Sequence, residues 1–293
     1  MINNYIDLVR HIMNNGEYRP NRTGINTYSC FGTMLEYDIS EHIPLIQEKY
    51  VPYKLAIREL LFFLSGKSNT KILEKQGVYI WKANTTREFL DNKGLHNYPI
   101  GDMGPSYSFN FRHYGAEYID STYTYEGEGY DQVHNLELSL RDDPYGRRHI
   151  INLWNPAELD KMALPPCLYS YQFYVSQNKL SLMCNMRSVD VFLGLPFNLF
   201  ESSLLVYMLC HVLGYEPGTL RFSMGDTHIY ETHMKQCRKL LENHDRMELD
   251  GKYNIKPQLY IYGEHSHIYD IEEQDIIIKN YKHMGQIKAD MAI

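Results

Sequence analysis

The stretch from Asn198 to Leu213 constrains this chain more than any other. Its apolar residues run nearly all round a helical wheel, which leaves no polar face for water. Such a helix has to sit at the centre of the fold, so the remaining elements must wrap it. Pro196 precedes it, and Asn198 is the expected N-cap, its side-chain oxygen accepting from a free amide of the first turn.

The elements available for wrapping are of both kinds. Helical periodicity runs through Tyr5, Leu8, Val9 and Ile12, through Leu55 to Leu64, and through Val133 to Leu140. Strand-like runs cover His149 to Leu153, Tyr169 to Val175 and Leu180 to Met186, the last two joined by a hairpin turn at Ser176-Gln177-Asn178-Lys179. Further strands are expected at Thr219 to Ser223 and Gln258 to Tyr262, with a helix from about Glu231. There is no strict βαβ alternation, internal repeat or low-complexity linker. The expectation is one α+β domain over residues 1–293, a large mixed sheet packed by helices.

Charge and cysteine usage exclude several functions. The 29 Lys+Arg against 36 Asp+Glu leave a net charge of −7, which argues against wholesale binding of DNA, RNA or an anionic membrane. Cys30, Cys167, Cys184, Cys210 and Cys237 show no CxxC or CxxH spacing. They read as reduced thiols of a cytoplasmic protein, with neither a disulfide scaffold nor a zinc site. Met1 to Arg10 shows no apolar signal core, and no stretch approaches ~18 uninterrupted apolar residues, so neither secretion nor a membrane-spanning helix is expected. P-loop, GxGxxG and HExxH patterns are absent.

A few residues invite a chemical reading. Cys167 follows Pro165-Pro166 and leads into a strand. It is either a small buried hydrophobe or a nucleophile presented by a rigid turn and activated by nearby cations. Arg22 (beside Thr23-Gly24), Arg147, Arg148 and Arg187 are either solvated charges or an anion clamp. Arg187, between an apolar strand and the apolar run Val191 to Phe197, is expected to be buried and to need an anion. Glu59, in the apolar helix Glu59-Leu60-Leu61-Phe62-Phe63-Leu64, either points outward or is a buried carboxylate kept for use. Asp226, His228 and Asn198 are polar groups in apolar surroundings.

In chain order, the segments carrying these residues resemble the thymidylate synthase family. They are Arg22-Thr23-Gly24, Glu59-Leu60-Leu61, Ile80-Trp81-Lys82-Ala83-Asn84, Gly104-Pro105-Ser106-Tyr107 and Leu164-Pro165-Pro166-Cys167. Arg187-Ser188-Val189-Asp190, Gly194-Leu195-Pro196-Phe197-Asn198, Gly225-Asp226-Thr227-His228-Ile229-Tyr230 and the tail Ile287 to Ile293 complete the set. The resemblance implies a homodimer formed on a sheet face, with Cys167 attacking C6 of a pyrimidine nucleotide. C5 then becomes nucleophilic toward the one-carbon unit of 5,10-methylenetetrahydrofolate. It implies that Arg22, Arg187 and Ser188 hold the 5′-phosphate, with Arg147 and Arg148 donated by the partner subunit, and that His228 and Tyr230 bind the deoxyribose. Ile80, Trp81, Asn84, Asp190, Leu193, Gly194, Phe197, Met291 and Ala292 would face the folate, and Lys49 its glutamate tail. Glu59, Tyr107, Asp190 and His228 would assist Cys167 in catalysis, with no metal. The amide of Asn198 fits uracil N3–H and O4 together, so the expected substrate is dUMP.

Two positions beside the nucleophile depart from the family pattern. Leu168 stands where His is usual and Met186 where Gln is usual. The pair reads as one event, with two polar groups of a shared network replaced by two apolar ones. The segment Asn185-Met186-Arg187-Ser188 also resembles phage nucleotide hydroxymethylases, cousins in which water attacks the exocyclic methylene. The expected activity is therefore thymidylate synthesis, the alternatives being dUMP hydroxymethylation or a catalytically silent nucleotide- or RNA-binding relative.

Overall fold

In the computed structural model, which describes residues 2–251 and 254–292, the apolar helix lies at the centre as its composition requires. Along the chain run α1 (Tyr5–Asn15), β1 (Glu17–Arg19), β2 (Thr27–Asp38), α2 (Tyr53–Leu64), α3 (Lys71–Lys75), α4 (Arg87–Asn92), α5 (Tyr107–Arg112) and α6 (Gln132–Asp142). There follow β3 (Ile150–Asn152), β4 (Leu168–Ser176), β5 (Lys179–Asp190), α7 (Gly194–Leu213), β6 (Glu216–Tyr230), α8 (Met234–Asp250), β7 (Gln258–Ile261) and β8 (Ile276–Lys279). The fold is α+β with a large mixed sheet, as expected.

Six strands pair in the order β1-β2-β6-β5-β4-β3; only β5 and β6 run parallel, and α7 is the crossover between them. Leu180, Leu182, Cys184 and Met186 of β5 and Leu220, Phe222 and Met224 of β6 are all buried on the same alternation. They face the helical side, where α7 contacts both strands. Each such side chain contributes roughly 2 kcal/mol on burial, so this layer holds α7 against the sheet. With its length and hydropathy α7 matches a membrane span, but most of it is enclosed by the fold. The opposite sheet face carries exposed apolar groups instead, among them Phe31, Ile150 and Tyr174.

The expected hairpin is present. Gln177 and Asn178 both adopt left-handed backbone (φ 50° and 61°), the signature of a two-residue turn whose twist matches the strands. Two expectations about α7 and its surroundings are corrected. The helix begins at Gly194, so Asn198 lies in its second turn and is not the N-cap. Pro196 is tolerated because first-turn amides have no intrahelical acceptor. The strand placed at Thr219 to Ser223 extends over all of Glu216–Tyr230, paired on both sides by β2 and β5.

Candidate active site

The turn before β4 presents Cys167. Proline nitrogens cannot donate, and the carbonyls of Pro165 and Pro166 are claimed by one side chain. Arg187 donates from Nε to Pro166 O (2.8 Å) and from Nη2 to Pro165 O (2.9 Å). Its backbone N–H donates to Cys167 O (2.9 Å), and its Nη2 lies 3.7 Å from Cys167 Sγ. Gly225 on β6 makes room, since a Cβ there would sit 2.8 Å from Arg187 O. The expectation that Arg187 is buried is corrected: it is exposed at the pocket and satisfied by carbonyls on its inner side.

Cys167 is solvent-accessible where it faces the pocket but is otherwise walled by protein. Desolvation pushes its thiol above the ordinary value, and the positive charges of Arg187 and Arg22 pull the other way. The arginines moderate the thiol in this state without overturning the cost of burial. Behind it, the Tyr107 hydroxyl accepts from the backbone N–H of Cys167 (2.7 Å) and of Leu168 (3.3 Å). The Tyr107 ring stacks on Phe63 (centroids 5.0 Å) and meets Trp81 edge-on (5.9 Å), which fixes that hydroxyl in place.

A cavity of about 400 Å³ opens in front of the thiol. It is lined by Cys167, Arg22, Arg187, Ser188, Asn198, His228 and Tyr230, together with Asp190 and Gly194. Residues expected from separate stretches of sequence thus converge on one site. His228 is buried and its Nδ1 lies 3.0 Å from Asp226 Oδ1, a contact that holds the Asp226 carboxyl below the usual range. Asp190 Oδ1 accepts from Phe192 N (2.9 Å) and Leu193 N (3.3 Å), tying the end of β5 to the start of α7. Asn198 projects from the second turn of that helix into the cavity.

Other expected residues lie elsewhere. Arg147 and Arg148 are exposed, and neither lines the cavity; Arg148 pairs only loosely with Asp143 (3.4 Å). Ile80, Trp81, Leu193 and Phe197 are half-buried, packed against the core with part of each surface free. Asn84 is buried, and so is Lys49, which donates to Phe192 O and sits 4.0 Å from the Phe192 ring centroid. Met291 is exposed and Ala292 half-buried; the tail is anchored by His233 Nε2 to Asp290 O (2.8 Å). Ile293 lies outside the described residues.

Two features were not read from the sequence. Glu59 is buried and accepts from Trp81 Nε1 (2.6 Å), which removes the outward-pointing alternative, and it lies against a second buried carboxyl, Glu201. Glu201 could have been found by the argument applied to Glu59, a carboxylate in an otherwise apolar helix. His134, Glu137 and His267 also converge closely enough to hold a metal ion. However, both Glu137 oxygens are already engaged, by His267 Nδ1 (2.7 Å) and Ile268 N (2.8 Å), so the cluster pins a loop to α6.

The thymidylate synthase family model matches residues 3–293. The chain is 39% identical to the thymidylate synthase of Human herpesvirus 8 over 289 residues, covering 99% of this chain and 83% of that protein. It is 38% identical to the thymidylate synthase of Equine herpesvirus 2, covering 99% and 97%, and 38% identical to that of Homo sapiens, covering 99% and 90%.

Proposed function

The chain belongs to the thymidylate synthase family of one-carbon transferases, and on that premise we propose that it methylates dUMP at C5, giving dTMP and dihydrofolate. The observation that carries the reading is the convergence of Cys167, Arg22, Arg187, Ser188, Asn198, His228 and Tyr230 on one cavity. Arg22 and Arg187, with the Ser188 hydroxyl, suit a 5′-phosphate at one end. At the other, Asn198 can accept from uracil N3–H while donating to O4. His228 and Tyr230, whose rings are 5.1 Å apart, suit the deoxyribose hydroxyl between them.

In this reading the Cys167 thiolate forms a bond to C6 of the base. The C5=C6 electron pair moves toward O4, and C5 becomes the nucleophile. Bringing the phosphate dianion against Arg187 also orders the side chain that braces the Cys167 turn. Glu59 (held by Trp81), Tyr107 (behind Cys167) and His228 (in the cavity wall) would organise the water that moves protons at O4 and C5. Methylenetetrahydrofolate, when bound, supplies the one-carbon unit and the hydride that completes the methyl group. The half-exposed apolar surfaces of Ile80, Trp81, Leu193 and Phe197, with exposed Met291, fit its flat ring system. Ala292 would follow Met291 in closing over it. The buried positions of Asn84 and Lys49 leave them to support this wall from behind.

Leu168 and Met186 bear on the product. Both are buried, and neither offers a hydrogen bond to water beside Cys167, which supports methylation over hydroxymethylation. The apolar open sheet face, with Phe31, Ile150 and Tyr174, supports a homodimer in which Arg147 and Arg148 reach the partner's phosphate site. The test is incubation with dUMP and methylenetetrahydrofolate, with the nucleotide identified by mass and dihydrofolate followed by absorbance. Methylated product with dihydrofolate is expected. Hydroxymethylated product without dihydrofolate overturns the methylation reading, and dUMP binding without either product overturns the enzyme reading.

A further inference from the structure

Glu59 on α2 and Glu201 on α7 are brought within hydrogen-bonding reach of each other in the interior. They are about 6% and 7% exposed. Among the described residues Glu59 has one donor, the Trp81 indole. Glu201 Oε1 is fully enclosed and meets no donor among the described residues. The groups that face the pair are uncharged: Trp81 from the loop before α4, Tyr171 from β4, and through Tyr171 the Cys184 thiol of β5 and the Tyr107 hydroxyl of α5. Among the described residues, no lysine, arginine or histidine is among the groups that shift either carboxyl. Two carboxylates this close and this dry cannot both be ionised, because no cation offsets their repulsion.

We propose that Glu201 is a positioning residue that carries the single proton of a Glu59–Glu201 pair and donates it as a hydrogen bond to Glu59. Burial raises both carboxyls, and the charge of Glu59 adds to the effect on Glu201, which is consistent with the proton residing there. Glu59 then stays anionic, held from one side by the Trp81 N–H and from the other by the Glu201 O–H. At rest the pair carries one negative charge. When Glu59 takes a proton from the water network at the base, Glu201 keeps its own, and the pair becomes neutral until that proton is returned. A partner with no proton to give would leave Glu59 either repelled or protonated, and unable to act. The catalytic part of this inference rests on the dUMP reading above; the shared proton does not.

Two substitutions separate the possibilities. Glu201→Gln retains an N–H donor toward Glu59 and should keep kcat within about threefold of the parent while removing any alkaline decline caused by deprotonation of Glu201. Glu201→Leu has no donor and should lower kcat on the order of a hundredfold with KM for dUMP unchanged. A thermal melt checks that both variants fold. Infrared difference spectra of the ligand-free protein give an answer that needs no turnover. A protonated-carboxyl band should persist above neutral pH in the parent and vanish in Glu201→Gln. Absence of that band in the parent overturns the shared proton, whatever the protein does to dUMP. Equal kcat losses in Glu201→Gln and Glu201→Leu, or none in either, overturn the positioning role. If no dTMP forms while the band behaves as expected, the dUMP reading has failed, the positioning role falls with it, and the shared proton stands.

Discussion

Leu168 and Met186 are direct partners across the β4–β5 ladder, each about 2% exposed, and Met186 also lines the cavity in front of Cys167. The pairing is interrupted between Leu168 and Ser170, so Tyr169 bulges from β4 two residues after Cys167. Two apolar side chains thus fill one space, and neither leaves a partner unsatisfied. A polar group on one of them alone would have no counterpart. Leu168→His should therefore cost about 1–3 kcal/mol in urea unfolding, and adding Met186→Gln should recover about 1 kcal/mol of it. Strictly additive costs would show that the two positions are independent.

Arg187 opposes the desolvation of the Cys167 thiol. Its removal should raise the thiol's titration further and lower the thiolate fraction at neutral pH. Arg187→Leu should slow alkylation of Cys167 by iodoacetamide about threefold at neutral pH, with the rate–pH curve displaced to the alkaline side. A curve that stays in place would mean that the charge of Arg187 does not reach the sulfur.

In the proposed reading Asn198 carries the choice of base. Asn198→Asp replaces the amide donor with an acceptor, which suits the amino group of cytosine. The ratio of kcat/KM for dUMP over dCMP should fall by at least about a hundredfold. An unaltered ratio would remove Asn198 as the determinant.

Lys49 makes stability depend on pH. Burial pushes its ammonium from the ordinary 10.5 down to about 8. The folded-state value is the depressed one, so the stability this group allows is full above pH 10.5. It is lost as pH falls through the folded value, by about 3 kcal/mol in all. Lys49→Met has no such titration. Its stability relative to the parent should be flat below pH 8 and should decline by about 3 kcal/mol between there and 10.5. A pH-independent difference in chemical unfolding would show that Lys49 is not buried as a charge.

The proposed trans donation of Arg148 predicts complementation. Cys167→Ala should be inactive while binding dUMP within about twofold of the parent, and Arg148→Leu should be weakly active. Co-refolding equal amounts should restore activity in about a quarter of the sites, those with both groups intact. No recovery would place Arg148 outside the partner's site.

By itself the sequence determined the centre of the fold and the inventory of the site. The burial of α7 follows from its composition, and the hairpin follows from a two-residue turn whose left-handed conformation is a local property. The Cys167, Arg187 and Asn198 segments were legible because each lies in a short stretch of distinctive chemistry. β2 was missed because its buried positions include Thr27, Ser29 and Thr33, and it becomes a strand by pairing with β6. Counting back from the turn, Ser170 meets Asn185, so Met186 should face Tyr169; the bulge puts Leu168 there instead. Such an interruption answers to packing around the strand and not to its own residues. The meeting of Glu59 with Glu201 was likewise decided by tertiary structure alone, because it depends on how α2 and α7 pack. Periodicity tells a helix which face to bury, but not which carboxyl will be waiting on the other side.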